Sequence, residues 1–150
     1  MTLADRFAVF MEGEVRQVGR PSDVFAKPNS VDVAAFIGSP PMNLVRSRYL
    51  DGSVTFAGAT LATTWGGPGA RDVVVGIRPT ALRIGEAGIP AKVELVEDLG
   101  DSAVIDLDVD GTAMRAKVSD GPIPDEGETV RLMAKPGDIH LFDAATGARI

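Results

Sequence analysis

The chain's one histidine, His140, lies in Asp138-Ile-His-Leu-Phe-Asp143. A histidine base needs a carboxylate to orient it and a nucleophile within reach. No serine or threonine is spaced to meet it, and its alternating apolar neighbours mark a strand histidine. Asp138 or Asp143 is its expected hydrogen-bond partner. A single histidine and no cysteine exclude multi-histidine and thiolate metal sites, cysteine nucleophiles and disulfides. Asp106-Leu-Asp-Val-Asp110-Gly111 opens like a calcium loop, but Lys117 stands where the bidentate Glu belongs. Leu107 and Val109 between these acids fit a half-buried strand, so a hairpin is expected there. Glu97–Asp98 and Asp125–Glu126 lie beside glycines in expected turns, where water keeps both carboxylates ionised. A phosphate-cradling loop needs glycines followed by Lys and Ser or Thr. The chain has no Gly-Lys dipeptide, so it is not expected to hydrolyse ATP by itself. No catalytic, cofactor-binding or metal-binding residue is assigned.

Asp72-Val-Val-Val-Gly76-Ile-Arg78-Pro79 reads as a buried strand. Gly76 permits close backbone approach, and Arg78 is held extended by the proline after it. An arginine at a strand end clamps an anion or pairs with a carboxylate inside the fold. With no second cation nearby in sequence, the internal pair is the favoured reading.

These residues must be carried by 150 residues, enough for one domain or for a small domain with an appendage. Fifteen basic against 21 acidic residues give a net charge of −6, a poor match to nucleic acid. No apolar run approaches the roughly 20 residues that span a bilayer, and the first residues do not read as a signal peptide. A cytoplasmic protein without direct membrane insertion is expected.

The sequence divides near residue 40. In residues 1–38 an apolar run, Phe7-Ala-Val-Phe-Met11, suggests a strand covered on both faces. Glu12-Gly13 turns it into a hairpin with Glu14 to Val18. Pro21 opens a short helix to Ala26. Ser30 caps a second, with Val33, Phe36 and Ile37 on its apolar face and Gly38 as its stop. Residues 39–150 show period-two alternation and frequent turns, expected of a β-barrel or sandwich. Strands are expected at 42–50, 53–57, 59–64, 72–78, 91–99, 102–109, 112–118, 128–134 and 138–142. Asp110-Gly111 is a two-residue hairpin signal. It sets Leu107 opposite Met114, Ile105 opposite Ala116, and Asp106 opposite Arg115. Ala103, Ile105, Leu107, Val109, Met114, Ala116 and Val118 then face the core. Residues 94–110 carry seven acids and no basic residue, expected to form a solvated strand face.

Four segments, taken in order, resemble the ATP-binding subunits of sugar-uptake ABC importers, such as the maltose, glycerol-phosphate and trehalose systems. Residues 1–28, MTLADRFAVFMEGEVRQVGRPSDVFAKP, resemble the stretch after that family's switch histidine. Phe36-Ile-Gly-Ser-Pro-Pro-Met-Asn43 resembles its joint between catalytic core and regulatory domain. Gly76-Ile-Arg-Pro79 and His140-Leu-Phe-Asp143, with Thr146-Gly147 beyond, resemble the regulatory domain's own signatures.

The resemblance implies a mainly β fold: an OB-like β-barrel regulatory domain (39–150) preceded by a short α/β remnant of the ATPase core (1–38). It implies a non-catalytic regulatory and dimerisation role, without cofactor. The implied partners are a second copy, the ATPase core and membrane-spanning permease subunits, at the inner face of the membrane. The family's catalytic motifs would lie before Met1. Related domains in other transporters bind oxyanions, so an oxyanion- or metabolite-sensing domain is the alternative. Arg78, Lys92 and His140 are the candidates for an anion or regulatory contact. Two departures from the family stand out: Thr80 replaces the acid that commonly follows the Gly-Ile-Arg-Pro motif, and residues 51–72 are short and Gly/Ala-rich. A first strand without its core neighbours is expected to fold onto a second copy or onto its own barrel.

Overall fold

The computed structural model describes residues 6–150; Met1–Asp5, part of the first resembling segment, fall outside them. Strands β1 (Phe7–Met11) and β2 (Glu14–Gly19) pair antiparallel across Glu12-Gly13, with Phe10 opposite Val15 and a bulge after Val9. Pro21 sits in the first turn of helix α1 (Pro21–Ala26), where its missing N–H costs nothing. Ser30 caps helix α2 (Val31–Phe36), its Oγ accepting the Val33 N–H at 3.3 Å. Val9, Val24 and Val33 meet in a small core flanked by Phe7, Met11 and Ile37.

The apolar run of β1, whose outer side chains are expected to stay partly uncovered without core neighbours, is covered on one face only: Phe10 is 64% exposed, and Val15 and Val18 beside it are also exposed. Two helices of six residues each are enough to cover just one side of a hairpin. Phe36 is 63% exposed, because α2 turns Val33 to the hairpin and Ala34 to the barrel.

Ten further strands form two antiparallel five-stranded sheets. The first has the order β12–β6–β3–β4–β5, from β3 (Asn43–Leu50), β4 (Ser53–Phe56), β5 (Ala59–Ala62), β6 (Ala70–Ile77) and β12 (His140–Asp143). The second has the order β10–β9–β8–β11–β7, from β7 (Arg83–Gly85), β8 (Ile89–Asp98), β9 (Ala103–Val109), β10 (Thr112–Val118) and β11 (Thr129–Met133). Their inner faces share one core, including Tyr49, Val75, Ile89, Ile105, Leu107 and Leu132. The result is the expected mainly β, OB-like barrel.

The β9–β10 register is the expected one: Leu107 faces Met114, Ile105 faces Ala116, and Arg115 reaches Asp106 at 2.9 Å. Val118, at the strand end, is only half-buried. The three-residue β7 was not expected, and a 3-10 turn at Pro136–Asp138 delays β12 to His140. In the short first lobe, Trp65 packs on Tyr49 with ring centroids 4.6 Å apart. The Tyr49 hydroxyl donates to the Gly67 carbonyl at 2.6 Å and accepts the Gly52 N–H at 2.7 Å.

Helix α2 docks on the outer face of the first sheet, where Ala34 packs with Met42, Val74 and Phe142. The amino-terminal segment thus folds onto its own barrel through α2, while the Phe10 and Val15 face of the hairpin stays uncovered.

Candidate functional site

Arg78 leaves β6 in an extended conformation (φ −63°, ψ 143°) ahead of Pro79, as its position before a proline requires. Its side chain turns under the amino-terminal segment and is 6% exposed. Nη1 donates to the carbonyl of Ile37 at 2.5 Å and Nη2 to that of Phe25 at 2.9 Å. The guanidinium lies 4.1 Å from the centre of the Phe25 ring. Ile37 ends α2 and Phe25 lies in the last turn of α1, so one cation satisfies carbonyls that two helix ends leave open. The favoured expectation of a carboxylate partner is corrected: the partners are backbone carbonyls and an aromatic face. Burial lowers the Arg78 pKa, yet a guanidinium stays charged at neutral pH.

Two glycines make the joint possible. Gly38 has φ +106°, and a Cβ there would stand 2.8 Å from Arg78 Nη1. A Cβ at Gly76 would stand 2.5 Å from Met42 Sδ and 3.1 Å from the Phe142 ring. The close approach expected of Gly76 is thus the seat for Met42.

His140 pairs with Gly76 across β12 and β6 and is half-buried. Its Nδ1 lies 2.8 Å from Arg149 Nη2. Arginine has no acceptor, so Nδ1 is the acceptor and the neutral ring carries its proton on Nε2. Burial first, then the charges of Arg149 and Arg78, push the His140 pKa down to about 4 against a smaller opposing effect of Asp138. At pH 7 the ring is neutral and its one basic nitrogen is occupied, which removes the lone pair a general base would use. The expected carboxylate partner is corrected to Arg149. Asp143 instead pairs with Arg71 and accepts the N–H groups of Ala145 (2.8 Å) and Thr146 (2.9 Å), which hold its carboxyl below the usual range.

Arg149 was missed in the sequence. Its Nε donates to the Pro28 carbonyl at 2.8 Å and its backbone N–H to the Asn29 carbonyl at 2.9 Å. The Gly147 carbonyl accepts the Val31 N–H at 2.8 Å. The last residues therefore strap the segment between α1 and α2 to the barrel. Thr146-Gly147 was the available sequence signal, but nothing in it singles out Arg149.

Asn43 completes the joint. Its amide donates to the carbonyls of Ile77 (3.0 Å) and Arg115 (2.8 Å) and accepts the Arg115 N–H at 2.8 Å. The chain of contacts runs from the helix ends through Arg78 and Ile77 to Asn43, and so to β10 in the second sheet. Of the three candidate residues, Arg78 and His140 meet at this junction. Lys92 lies on β8 in the other sheet, exposed and opposite Asp108. Asp106 is engaged by Arg115, and Asp108 accepts the Gly111 N–H at 2.9 Å, so the calcium-loop pattern is a hairpin. Among the described residues no group of three or more His, Asp or Glu is placed to hold a metal ion, and no helix is long and apolar enough to cross a membrane.

Residues 75–142 match the family model described as the TOBE domain. The chain is 38% identical to an uncharacterized ABC transporter ATP-binding protein of Sinorhizobium fredii, covering 100% of this chain and 42% of the relative. It is 36% identical to an sn-glycerol-3-phosphate import ATP-binding protein of Agrobacterium fabrum, with the same coverage. Against the diacetylchitobiose uptake system ATP-binding protein of Streptomyces coelicolor it is 33% identical, covering 100% of this chain and 47% of the relative. The chain thus spans less than half the length of these relatives, in their carboxy-terminal part. The fold is similar to that of the cytoplasmic molybdate-binding protein ModG, with TM-score 0.55 and 12% identity over 66% of this chain and 94% of that one.

Proposed function

From the match of residues 75–142 to the TOBE domain, we propose that the chain is a non-catalytic regulatory and dimerisation segment of a carbohydrate-type ABC importer's ATP-binding protein. Residues 39–150 are the regulatory barrel, and residues 1–38 are the end of the nucleotide-binding core. The observation that carries this reading is the grip of Arg78 on the carbonyls of Phe25 and Ile37. It ties the helices on the ATPase side to a barrel strand, so movement of one is passed to the other. The bare outer face of the hairpin, with Phe10, Val15 and Val18, is where further strands of an ATPase core would pack. The partners in this reading are a second copy, the ATPase core and the permease subunits, at the inner face of the membrane. The oxyanion-sensing alternative finds less support, because two nitrogens of Arg78 and two of Arg149 are already engaged within the protein.

Sedimentation equilibrium of the purified chain tests the dimerisation half, with twice the chain mass expected. A monomer throughout the accessible concentration range overturns it. Phosphate release from ATP tests the other half. None is expected, and release that a point change in this chain abolishes overturns the non-catalytic reading.

A further inference from the structure

The turn Asp110-Gly111 has positive φ at both positions (51° and 85°), as in a two-residue hairpin. Val109 and Thr112 are its closing pair and exchange backbone bonds. Hydrogen-bonded and free pairs alternate along an antiparallel ladder, so Met114 and Ala116 point their backbone groups at β9. Ala113 and Arg115 point theirs outward, and β10 is the edge of its sheet. Arg115 confirms this register, since its N–H and C=O are both taken by the Asn43 amide at 2.8 Å. Asn43 there does what one residue of an added strand would do. Two residues toward the hairpin tip, the outward N–H and C=O of exposed Ala113 have no such partner among the described residues.

A groove opens at this point. Its lining includes Pro41, Leu44, Ala113, Glu94 and Asp108, with Met42 buried behind them. The 3-10 turn Pro79–Ala81 also packs along β10 but does not line the groove. Arg115, the cation of the groove, is engaged by Asp106 at 2.9 Å, while Glu94 and Asp108 have no ion-pair partner among the described residues. The groove therefore offers an open strand edge, the apolar Pro41 and Leu44, and three carboxylates (Glu94, Asp106 and Asp108) against one lining cation, with Lys92 across the strand from Asp108.

We propose that the β10 edge at Ala113 is a docking site for an extended, cationic segment of a partner protein. The segment pairs its backbone with Ala113, lays small apolar side chains against Pro41 and Leu44, and sets Lys or Arg at Glu94. This is strand addition to a sheet edge, with main-chain bonds giving affinity and side chains giving choice of partner. It rests on the geometry of β10 and stands apart from the transporter reading.

The test is an anisotropy titration with a fluorescein-labelled peptide of alternating Lys and Val, with an alternating Glu and Val peptide as control. The Lys peptide is expected to bind saturably and the Glu peptide not at all. Ala113→Pro removes the outward N–H at an edge position where proline is tolerated and leaves the charge unchanged; affinity is expected to fall roughly tenfold, about 1.4 kcal/mol. Glu94→Lys is expected to weaken binding by a similar factor, and carries the test alone should Ala113→Pro fail to fold. Equal binding of both peptides overturns the proposal, as does Lys-peptide binding that neither change weakens. Self-association of the chain that Ala113→Pro abolishes assigns the edge to a second copy and also overturns it.

Discussion

Residues 7–37 and the barrel they rest on are stabilised in opposite ways. The amino-terminal segment encloses three buried valines, Val9, Val24 and Val33, whereas 20 buried residues form the shared core of the two sheets. A core of three side chains does not offset the chain entropy of some thirty residues. What holds the segment lies mostly outside it: Arg78, Arg149 and the Gly147 carbonyl grip its backbone, and α2 lies on Val74 and Phe142. The barrel is held from within by apolar burial, and the segment from without by hydrogen bonds to carbonyls. A structure held by a few directional bonds is released by losing one of them.

Five variants sharpen or break this contrast. The largest effect is expected from Ile105→Ala at the centre of the barrel, about 2–5 kcal/mol. Urea denaturation followed by far-UV dichroism should show both regions lost in one transition, and an amino-terminal segment that outlasts the barrel would contradict its dependence. Arg78→Ala is next, at roughly 3 kcal/mol for two charge-assisted bonds and the carbonyls they leave open. Arg78→Lys should recover only part of this, since an ammonium lacks the planar fork that reaches both carbonyls; full recovery would show that charge alone suffices.

The third prediction concerns pH. With a folded pKa of about 4 against an ordinary 6.5, the unfolded chain binds the His140 proton first as pH falls. Stability should be full above pH 6.5, decline down to pH 4 by about 1–2 kcal/mol once solvent screening of the half-buried ring is allowed for, and level off with respect to this group below that. His140→Gln, which keeps an acceptor for Arg149, should flatten that slope in pH-resolved urea titrations. An unchanged slope would assign it to other groups. The smallest effect is expected at the bare hairpin face: Phe10→Ser should change stability by no more than about 0.5 kcal/mol. A larger loss in thermal denaturation would mean that a second copy covers this face in solution.

The same contrast governs what the sequence made legible. The β9–β10 hairpin was readable to the residue, because its turn signal and its alternation lie within one short stretch and fix the same register. The helix starts at Pro21 and Ser30 and the stop at Gly38 were readable for the same reason. Arg78 was readable as a buried strand-end cation, but its partners were not. A backbone carbonyl carries no residue-type signature, and Phe25 and Ile37 lie 53 and 41 positions away. The partner of His140 followed a similar course, since two nearby aspartates in the sequence outweighed a terminal arginine until the tail folded back. Phe36 read as core because its spacing records apolarity and not the extent of the surface available to cover it. The three residues of β7 are too few to show a period.

Amide hydrogen exchange of the native chain beside Arg78→Ala tests the coupling most directly. The account predicts that the amides of α1 and α2 lose protection in the variant while Ile105 and Leu107 in the barrel keep theirs. Unchanged protection of α1 and α2 without the arginine would contradict it.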